Sequence, residues 1–184
     1  MKQTIRDKVF DQIIHQAASG CNIMLCAPKR SGKTELLVRL FSEVEVFLNK
    51  KVFYLSLQNA QRQELSRRLG YNIDGCTFKN FNCLYGKDID CVVIEEPYKV
   101  DPLLFNRAID NVNSRARQVI FVFSPFEYDS KNPHPLKILW DTAPYFKYQI
   151  SAGTLDWYND ISKSRSSFCE NDFQTEIEGN WVAI

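Results

Sequence analysis

The sequence lacks the features of a membrane-spanning, secreted or zinc-binding protein. Its longest apolar runs, residues 91–94 and 119–123, are far shorter than the roughly 20 residues of a transmembrane helix. Residues 1–8 have no apolar signal core, so secretion is not expected. The sequence has 2 histidines and 6 cysteines but no C-x-x-C pair, whereas zinc sites need closer spacings. We therefore expect reduced thiols in a cytosol-like compartment.

Neither sign of charge dominates. The chain has 23 Lys and Arg against 22 Asp and Glu, so its net charge of +1 favours no class of partner. A nucleic acid would have to meet local basic clusters, which are usually solvated helix faces. Two such clusters are Arg62, Arg67 and Arg68, and Arg107, Arg115 and Arg117. The 184 residues, 45% hydrophobic and 24% charged, fit one globular domain of ordinary size.

Short apolar strands alternate with amphipathic helices along the chain. The pattern predicts strands at 22–27, 52–57, 90–95, 119–124 and 146–150, and helices at 4–18, 32–48, 60–69, 102–112 and 136–141. Residues 71–89 are rich in turn signals, and further helical stretches are expected near 155–164 and 170–178. Such alternation predicts a mostly parallel sheet with helices on both faces, with strands 90–95 and 119–124 at its centre. We expect a core at 1–154 and a helical linker at 155–184.

Residues 27–34 form a candidate phosphate-binding loop. They fit G-x-x-x-x-G-K-[ST] with alanine at the first position, and their residues are Ala27, Pro28, Lys29, Arg30, Ser31, Gly32, Lys33 and Thr34. A strand ends before the loop and a helix begins within it, so backbone N–H groups can surround a β-phosphate. Lys33 would reach the β- and γ-phosphates, and the Thr34 hydroxyl would ligate Mg²⁺. The alternative is a lysine-rich turn before an ordinary helix.

Two carboxylates follow the apolar run 91–94. We expect them at the carboxyl end of a strand next to the strand of the loop, as in a Walker B motif. Glu95 would hold the Mg²⁺ shell, and Glu96 would orient or deprotonate the attacking water. The alternative is a solvated turn before Pro97. At the end of the next predicted strand, Ser124 precedes Pro125 and is expected to sense the γ-phosphate, although Ser-Pro is equally a turn signal.

Together these motifs resemble the ATPase domain of the large terminase subunit, the genome-packaging motor of tailed phages and herpesviruses. The resemblance covers nearly the whole chain. In the first half of the chain it lies in residues 28–34, with a basic residue three places before Gly32, and in residues 55–61. It continues in Leu84-Tyr85-Gly86, which is followed by Asp90 and the carboxylate pair, and in Ser124-Pro125. Near the end of the sequence, residues 173–181 resemble F-x-x-E-[hydrophobic]-x-G-x-[aromatic].

The chain departs from that family in three places. Glu95 stands where the family normally has aspartate. Lys29 stands where the family has its arginine finger, and a lysine offers a point charge in place of a planar fork. The alternatives are that Arg30 is the finger or that the finger comes from elsewhere. Gln12 is not a departure: it could correspond to the family's adenine-reading glutamine upstream of the loop, although one glutamine on a helix is more often surface. The third departure lies after the ATPase region. No carboxylate cluster for a nuclease follows the ATPase region.

The resemblance implies a P-loop NTPase of the ASCE type that binds ATP and Mg²⁺. It implies an ATPase that drives double-stranded DNA into a viral capsid, in the host cytoplasm or, for a herpes-type virus, the nucleus. The implied partners are double-stranded DNA, the portal protein and the small terminase subunit, with a homo-oligomeric ring when assembled, a monomer alone as the alternative, and no membrane. Two other functions stay open: a helicase-like nucleic-acid motor, and a nucleotide-binding module with little hydrolysis.

Overall fold

The computed structural model describes residues 5–150 and 182–183. Its helices are α1 (Ile5–Ala18), α2 (Lys33–Leu40), α3 (Asn59–Leu69), α4 (Pro102–Asn113) and α5 (Pro135–Thr142). Its strands are β1 (Ile23–Cys26), β2 (Val52–Ser56), β3 (Gly75–Thr77), β4 (Ile89–Glu95), β5 (Ala116–Phe123), β6 (Glu127–Tyr128), β7 (Phe146–Gln149) and β8 (Val182–Ala183). A π-helical segment, Phe41–Phe47, continues α2, and short 3-10 helices cover Phe78–Leu84 and Pro97–Lys99.

Most expected elements are present, with bounds that differ by a few residues. The expected helices at 155–164 and 170–178 and the segment 173–181 lie outside the described residues, as does almost all of the linker 155–184. Within the described part of the chain, no helix is both long and apolar enough to cross a membrane.

The described strands form a six-stranded parallel sheet in the order β3-β2-β4-β5-β1-β7, and β6 pairs separately with β8. This confirms the parallel sheet with β4 and β5 at its centre. One expectation is wrong: the strand that carries the carboxylates is not next to the strand of the loop. β5 pairs with β1 on one side and with β4 on the other. Both central strands are continuous apolar runs, so their sequences could not show which one lies beside β1.

An edge strand was missed in the turn-rich stretch 71–89. β3 has only three residues and pairs with β2 through Tyr54 and Gly75. A Cβ on Gly75 would lie 2.4 Å from the carbonyl oxygen of Tyr54, so glycine permits this close approach. A strand of three residues that begins with glycine is too short to show the alternation of apolar and polar residues by which strands are predicted.

Helices cover both faces of the sheet, as expected. On one face α1, α2 and α3 bury Ile13, Leu36 and Leu65 among side chains that include Val93. On the other face α4, α5 and the 3-10 helix Phe78–Leu84 pack on alternate residues of the same strands. Each large apolar side chain buried in this way stabilises the fold by about 1.5–3 kcal/mol. The two layers leave the carboxyl ends of β1, β2, β4 and β5 at one edge of the sheet.

Candidate nucleotide site

The loop between β1 and α2 has the backbone of an anion-binding nest. Arg30 has a φ of 61° and Gly32 a φ of 91°, both in the left-handed region. α2 begins at Lys33, and no side chain caps its first turn. The first N–H groups of a helix have no partner inside it, so they are available to an anion. The Ser31 hydroxyl is buried and has no hydrogen-bond partner among the described residues, which also fits a loop that binds a polar ligand.

Lys33 lies at the centre of the site. Its Nζ donates to the carbonyl oxygens of Ala27 and Pro28, each at 2.9 Å, and to Ser124 Oγ at 2.9 Å. The same ammonium lies 3.6 Å from Glu96 Oε1. Burial lowers the pKa of Lys33, and the nearby Glu96 opposes that shift. The chain's own acceptors therefore hold the ammonium where it can exchange them for phosphate oxygens.

Glu96 is turned toward the end of β5. Its carboxylate accepts from the Ser124 hydroxyl at 3.0 Å and from the Ser124 backbone N–H at 3.2 Å. Its φ of 49° is left-handed, which for a residue with a side chain costs on the order of 1–3 kcal/mol. Its own N–H donates to the carbonyl of Val122 at 3.0 Å, which holds this turn in place. The structure thus brings Lys33, Glu96 and Ser124 together.

Thr34 and Glu95 line a neighbouring cavity of about 290 Å³. Glu95 Oε2 accepts a hydrogen bond from the Tyr54 hydroxyl and another, at 3.1 Å, from Gln61 Nε2. Burial raises the pKa of Glu95, and the bond from Tyr54 opposes that rise. A hydroxyl and a carboxylate beside the candidate phosphate-binding loop are oxygen ligands of the kind that Mg²⁺ takes, so these residues fit the expected metal.

Three expected residues are exposed. Lys29 and Arg30 are exposed at the tip of the loop. Gln12 is exposed on α1, about 200° around the helix from Phe10. Phe10 and Arg6 of α1 lie close to the loop: a Cβ on Gly32 would lie 3.5 Å from the Phe10 ring and 3.7 Å from Arg6 Nη1.

Sequence reasoning missed Tyr54 and Gln61 as site residues. Tyr54 lies in a strand that reads as a buried apolar run, and only its hydroxyl distinguishes it from core. Gln61 falls in residues 55–61, which carry part of the resemblance to the terminase family. The resemblance therefore pointed to this segment, although it assigned no role to Gln61.

The basic clusters are partly neutralised. Arg67 and Arg68 both bind Glu64, at 2.9 Å and 2.7 Å, and these bonds lower the pKa of Glu64 to about 2. In the second cluster, Arg115 lies over the Tyr85 ring and Arg117 is 3.5 Å from Asp90. Exposed pairs of this kind contribute little to stability.

No protein-family model matches the sequence, and no curated protein matches it. Among solved structures, the ATPase domain of the large terminase of Thermus phage P74-26 has a TM-score of 0.62 and 10% identity, over 98% of this chain and 100% of that one. A large terminase from a thermophilic bacteriophage has a TM-score of 0.70 and 13% identity over 99% of this chain, and its complex with ADP gives 0.69 and 14% over 98%.

This chain spans about half, 54%, of the two chains of that thermophilic-phage terminase. Identities this low establish the fold and not the activity. The chain has the P-loop NTPase fold, in the form found in the ATPase domains of phage large terminases, as the sequence predicted.

Proposed function

We propose that the chain is an ATPase that couples hydrolysis to the translocation of double-stranded DNA into a viral capsid. The observation that carries the proposal is the hydrogen-bonded set of Lys33, Ser124 and Glu96, which lies at the carboxyl ends of β1, β4 and β5 beside the phosphate loop. Few structural roles explain a lysine, a serine and a glutamate joined at the edge of a parallel sheet, where ligands of such folds bind.

The chemistry follows from these positions. The N–H groups of the loop and of the first turn of α2 bind the β-phosphate, and Lys33 exchanges the carbonyls of Ala27 and Pro28 for phosphate oxygens. Glu96 accepts a proton from the water that attacks the γ-phosphorus. The bond from that phosphorus to the bridging oxygen breaks, which leaves ADP and inorganic phosphate. Ser124, freed from Lys33, is placed to contact the γ-phosphate.

Thr34 and Glu95 would hold Mg²⁺. When bound, the ion neutralises charge on the β- and γ-phosphates. The exposed positions of Lys29 and Arg30 suit a cation that acts on a neighbouring subunit or at the γ-phosphate. Gln12 stays the candidate for reading adenine. We further propose the partners that the resemblance implies: double-stranded DNA, the portal protein, the small terminase subunit and other copies in a ring, in the host cytoplasm or nucleus.

The test is ATP turnover by the full chain with and without double-stranded DNA. Lys33→Ala should lower phosphate release by at least about 100-fold, because the cation at the γ-phosphate is removed. Lys131→Ala, an exposed lysine away from the loop, is the control. Equal turnover by Lys33→Ala and the unmodified chain would overturn the assignment.

Two alternative functions would give distinct outcomes when nucleotide binding and strand separation are measured as well. Glu95 in place of the family's aspartate favours a binding module, and ATP binding without phosphate release, even with DNA and portal protein present, would support it. Separation of the strands of a forked duplex by this chain alone would support a helicase-like motor. Turnover that rises with double-stranded DNA and leaves the strands paired supports translocation.

A further inference from the structure

Two side chains outside the loop and the carboxylate motif hold Glu95. Tyr54, on β2, donates its hydroxyl to Glu95 Oε2. Gln61, in the first turn of α3, donates Nε2 to the same oxygen at 3.1 Å. Neither bond uses Oε1. Both donors line the cavity that Thr34 also lines, so they fix the carboxylate at the place where a cation beside the phosphates would lie.

Both donors are themselves held in place. Tyr54 is 1% exposed, and its ring meets Phe41 edge to face with 6.1 Å between centroids. Gln61 has its other end in use, because its Oε1 accepts from the backbone N–H of Gln58 at 3.0 Å in the capping box of α3. A hydrogen-bond donor that is fixed in this way orients its partner at little further entropic cost.

Glutamate needs such support more than aspartate does. Its carboxylate is carried on one more rotatable bond, so a free glutamate loses more rotamer freedom when it is fixed against a cation. In this chain the freedom is already lost in the folded state, because two donors from two different elements converge on one oxygen. Burial at the end of β4 restricts the rotamers of Glu95 further, because the residue is only 9% exposed.

We propose that Tyr54 and Gln61 are positioning residues that hold Glu95 for a divalent cation bound together with the nucleotide. The inference rests on the proposed function, since it assumes that the site takes a nucleotide with its cation. It adds two residues of β2 and α3 to the site, and it explains how a glutamate serves at this position.

The experiment measures Mn²⁺ binding to the full chain in the presence of a non-hydrolysable ATP analogue, from the electron paramagnetic resonance signal of free Mn²⁺. Tyr54→Phe and Gln61→Met should each raise the apparent Kd for Mn²⁺ by about 10-fold or more, the usual effect of removing a group that orients a metal ligand. Affinity for the analogue without metal should be unchanged. In turnover assays the same variants should raise the Mn²⁺ concentration needed for half-maximal rate.

Matched controls separate positioning from packing. Tyr71→Phe removes a similar hydroxyl-to-carboxylate bond, from Tyr71 to Glu45 at 2.8 Å, away from the site. Gln58→Ala removes the Gln58 side chain from the same helix cap, but it keeps the backbone N–H that holds Gln61 and removes no donor to Glu95. Both controls should bind Mn²⁺ as the unmodified chain does. In a Glu95→Asp background, Tyr54→Phe should add no further loss, because the shorter side chain no longer reaches the tyrosine.

The outcomes are distinguishable. Unchanged Mn²⁺ affinity in both Tyr54→Phe and Gln61→Met would overturn the positioning role and leave the proposed function standing. An unmodified chain that shows no nucleotide-dependent Mn²⁺ binding would overturn both. Gln61→Met, at a partly exposed position, keeps the test valid if the buried Tyr54→Phe variant folds poorly.

Discussion

Lys33 Nζ and Ser124 Oγ lie 2.9 Å apart although 91 residues separate them in the chain. The contact exists because β5, which ends just before Ser124, is inserted between the strand of the loop and the strand of the carboxylates. Ser124 accepts from Lys33 and donates to Glu96, so one hydroxyl joins the residue proposed to bind phosphate to the residue proposed as the base. Phosphate oxygens that draw Lys33 away would change the partners of both neighbours.

Ser124→Ala should slow ATP turnover by about 10- to 100-fold while leaving ATP affinity within a few-fold, because the relay hydroxyl is lost but the loop is not. Ser56→Ala is the matched control: Ser56 is buried at the end of β2, the strand on the other side of β4, and donates to the Gln58 carbonyl. Steady-state phosphate release and nucleotide titration measure the two quantities. Equal rates for the two variants would show that the Ser124 hydroxyl has no part in turnover.

Glu96→Gln should lower turnover by about 100- to 10,000-fold, since the amide cannot accept a proton from water. ATP should still bind, because the glutamine oxygen keeps an acceptor for the Ser124 N–H. The variant should therefore retain ATP in a single-turnover experiment, whereas Lys33→Ala should fail to hold it. Glu127→Gln, an exposed glutamate on β6, is the control. Rapid hydrolysis by Glu96→Gln would exclude Glu96 as the base.

Gly32→Ala should destabilise the fold by about 1–2 kcal/mol, the usual cost of a side chain in the left-handed region. Its φ is 91°, and a Cβ there meets the Phe10 ring only at ordinary contact distance, so the cost comes from the backbone. Gly70→Ala is the control, with a φ of 79° and open space around it. Denaturant unfolding should show similar losses for both, while only Gly32→Ala should weaken ATP binding. Weaker ATP binding by both variants would indicate that the general loss of stability, and not the change in the loop, is the cause.

His134 should make stability depend on pH. Its Nδ1 accepts from the Leu136 N–H at 3.1 Å, so the ring is neutral and Nε2 donates to the Val100 carbonyl at 3.0 Å. Burial lowers its pKa below the ordinary value. A lowered pKa gives stability that is complete above about pH 6.5 and is lost as pH falls below it.

The free energy of unfolding should therefore drop by about 1 kcal/mol, the worth of a helix cap, between about pH 7.5 and about pH 5. His134→Asn keeps a cap acceptor and removes the titrating group. Denaturant unfolding of His134→Asn and of the unmodified chain at each pH gives two profiles of the free energy of unfolding. The difference between the profiles isolates the contribution of His134 from that of the carboxyl groups. Parallel pH profiles for the two would contradict this account.

The sequence predicted the parts of the site that depend on local order. The loop was found because its residues are contiguous, and its strand and helix lie directly on either side of it. Glu95, Glu96 and Ser124 were found because each follows an apolar strand, and parallel strands end at a common edge. Their roles stay predictions, as do those of Lys29, Arg30 and Gln12.

What the sequence could not give was the order of strands in the sheet. Hydrophobic runs identify buried strands but are nearly interchangeable, so the expectation that the carboxylate strand adjoins the loop's strand was wrong. The strand β3 was missed because three residues are too few to show an alternating pattern of apolar and polar side chains. Tyr54 was given no role because it lies in an apolar strand, and the sequence does not show which atom its hydroxyl contacts.

The sequence by itself thus determined a candidate phosphate-binding loop, a pair of carboxylates, a serine after the next strand, and an alternating α/β chain. Only the tertiary structure decided that β5 separates β1 from β4, that Ser124 consequently lies between Lys33 and Glu96, and that Tyr54 and Gln61 converge on Glu95. The reason is physical. Motifs and elements are set by short-range geometry and side-chain period, whereas neighbours in a sheet are chosen by how whole apolar faces pack, which no single segment encodes.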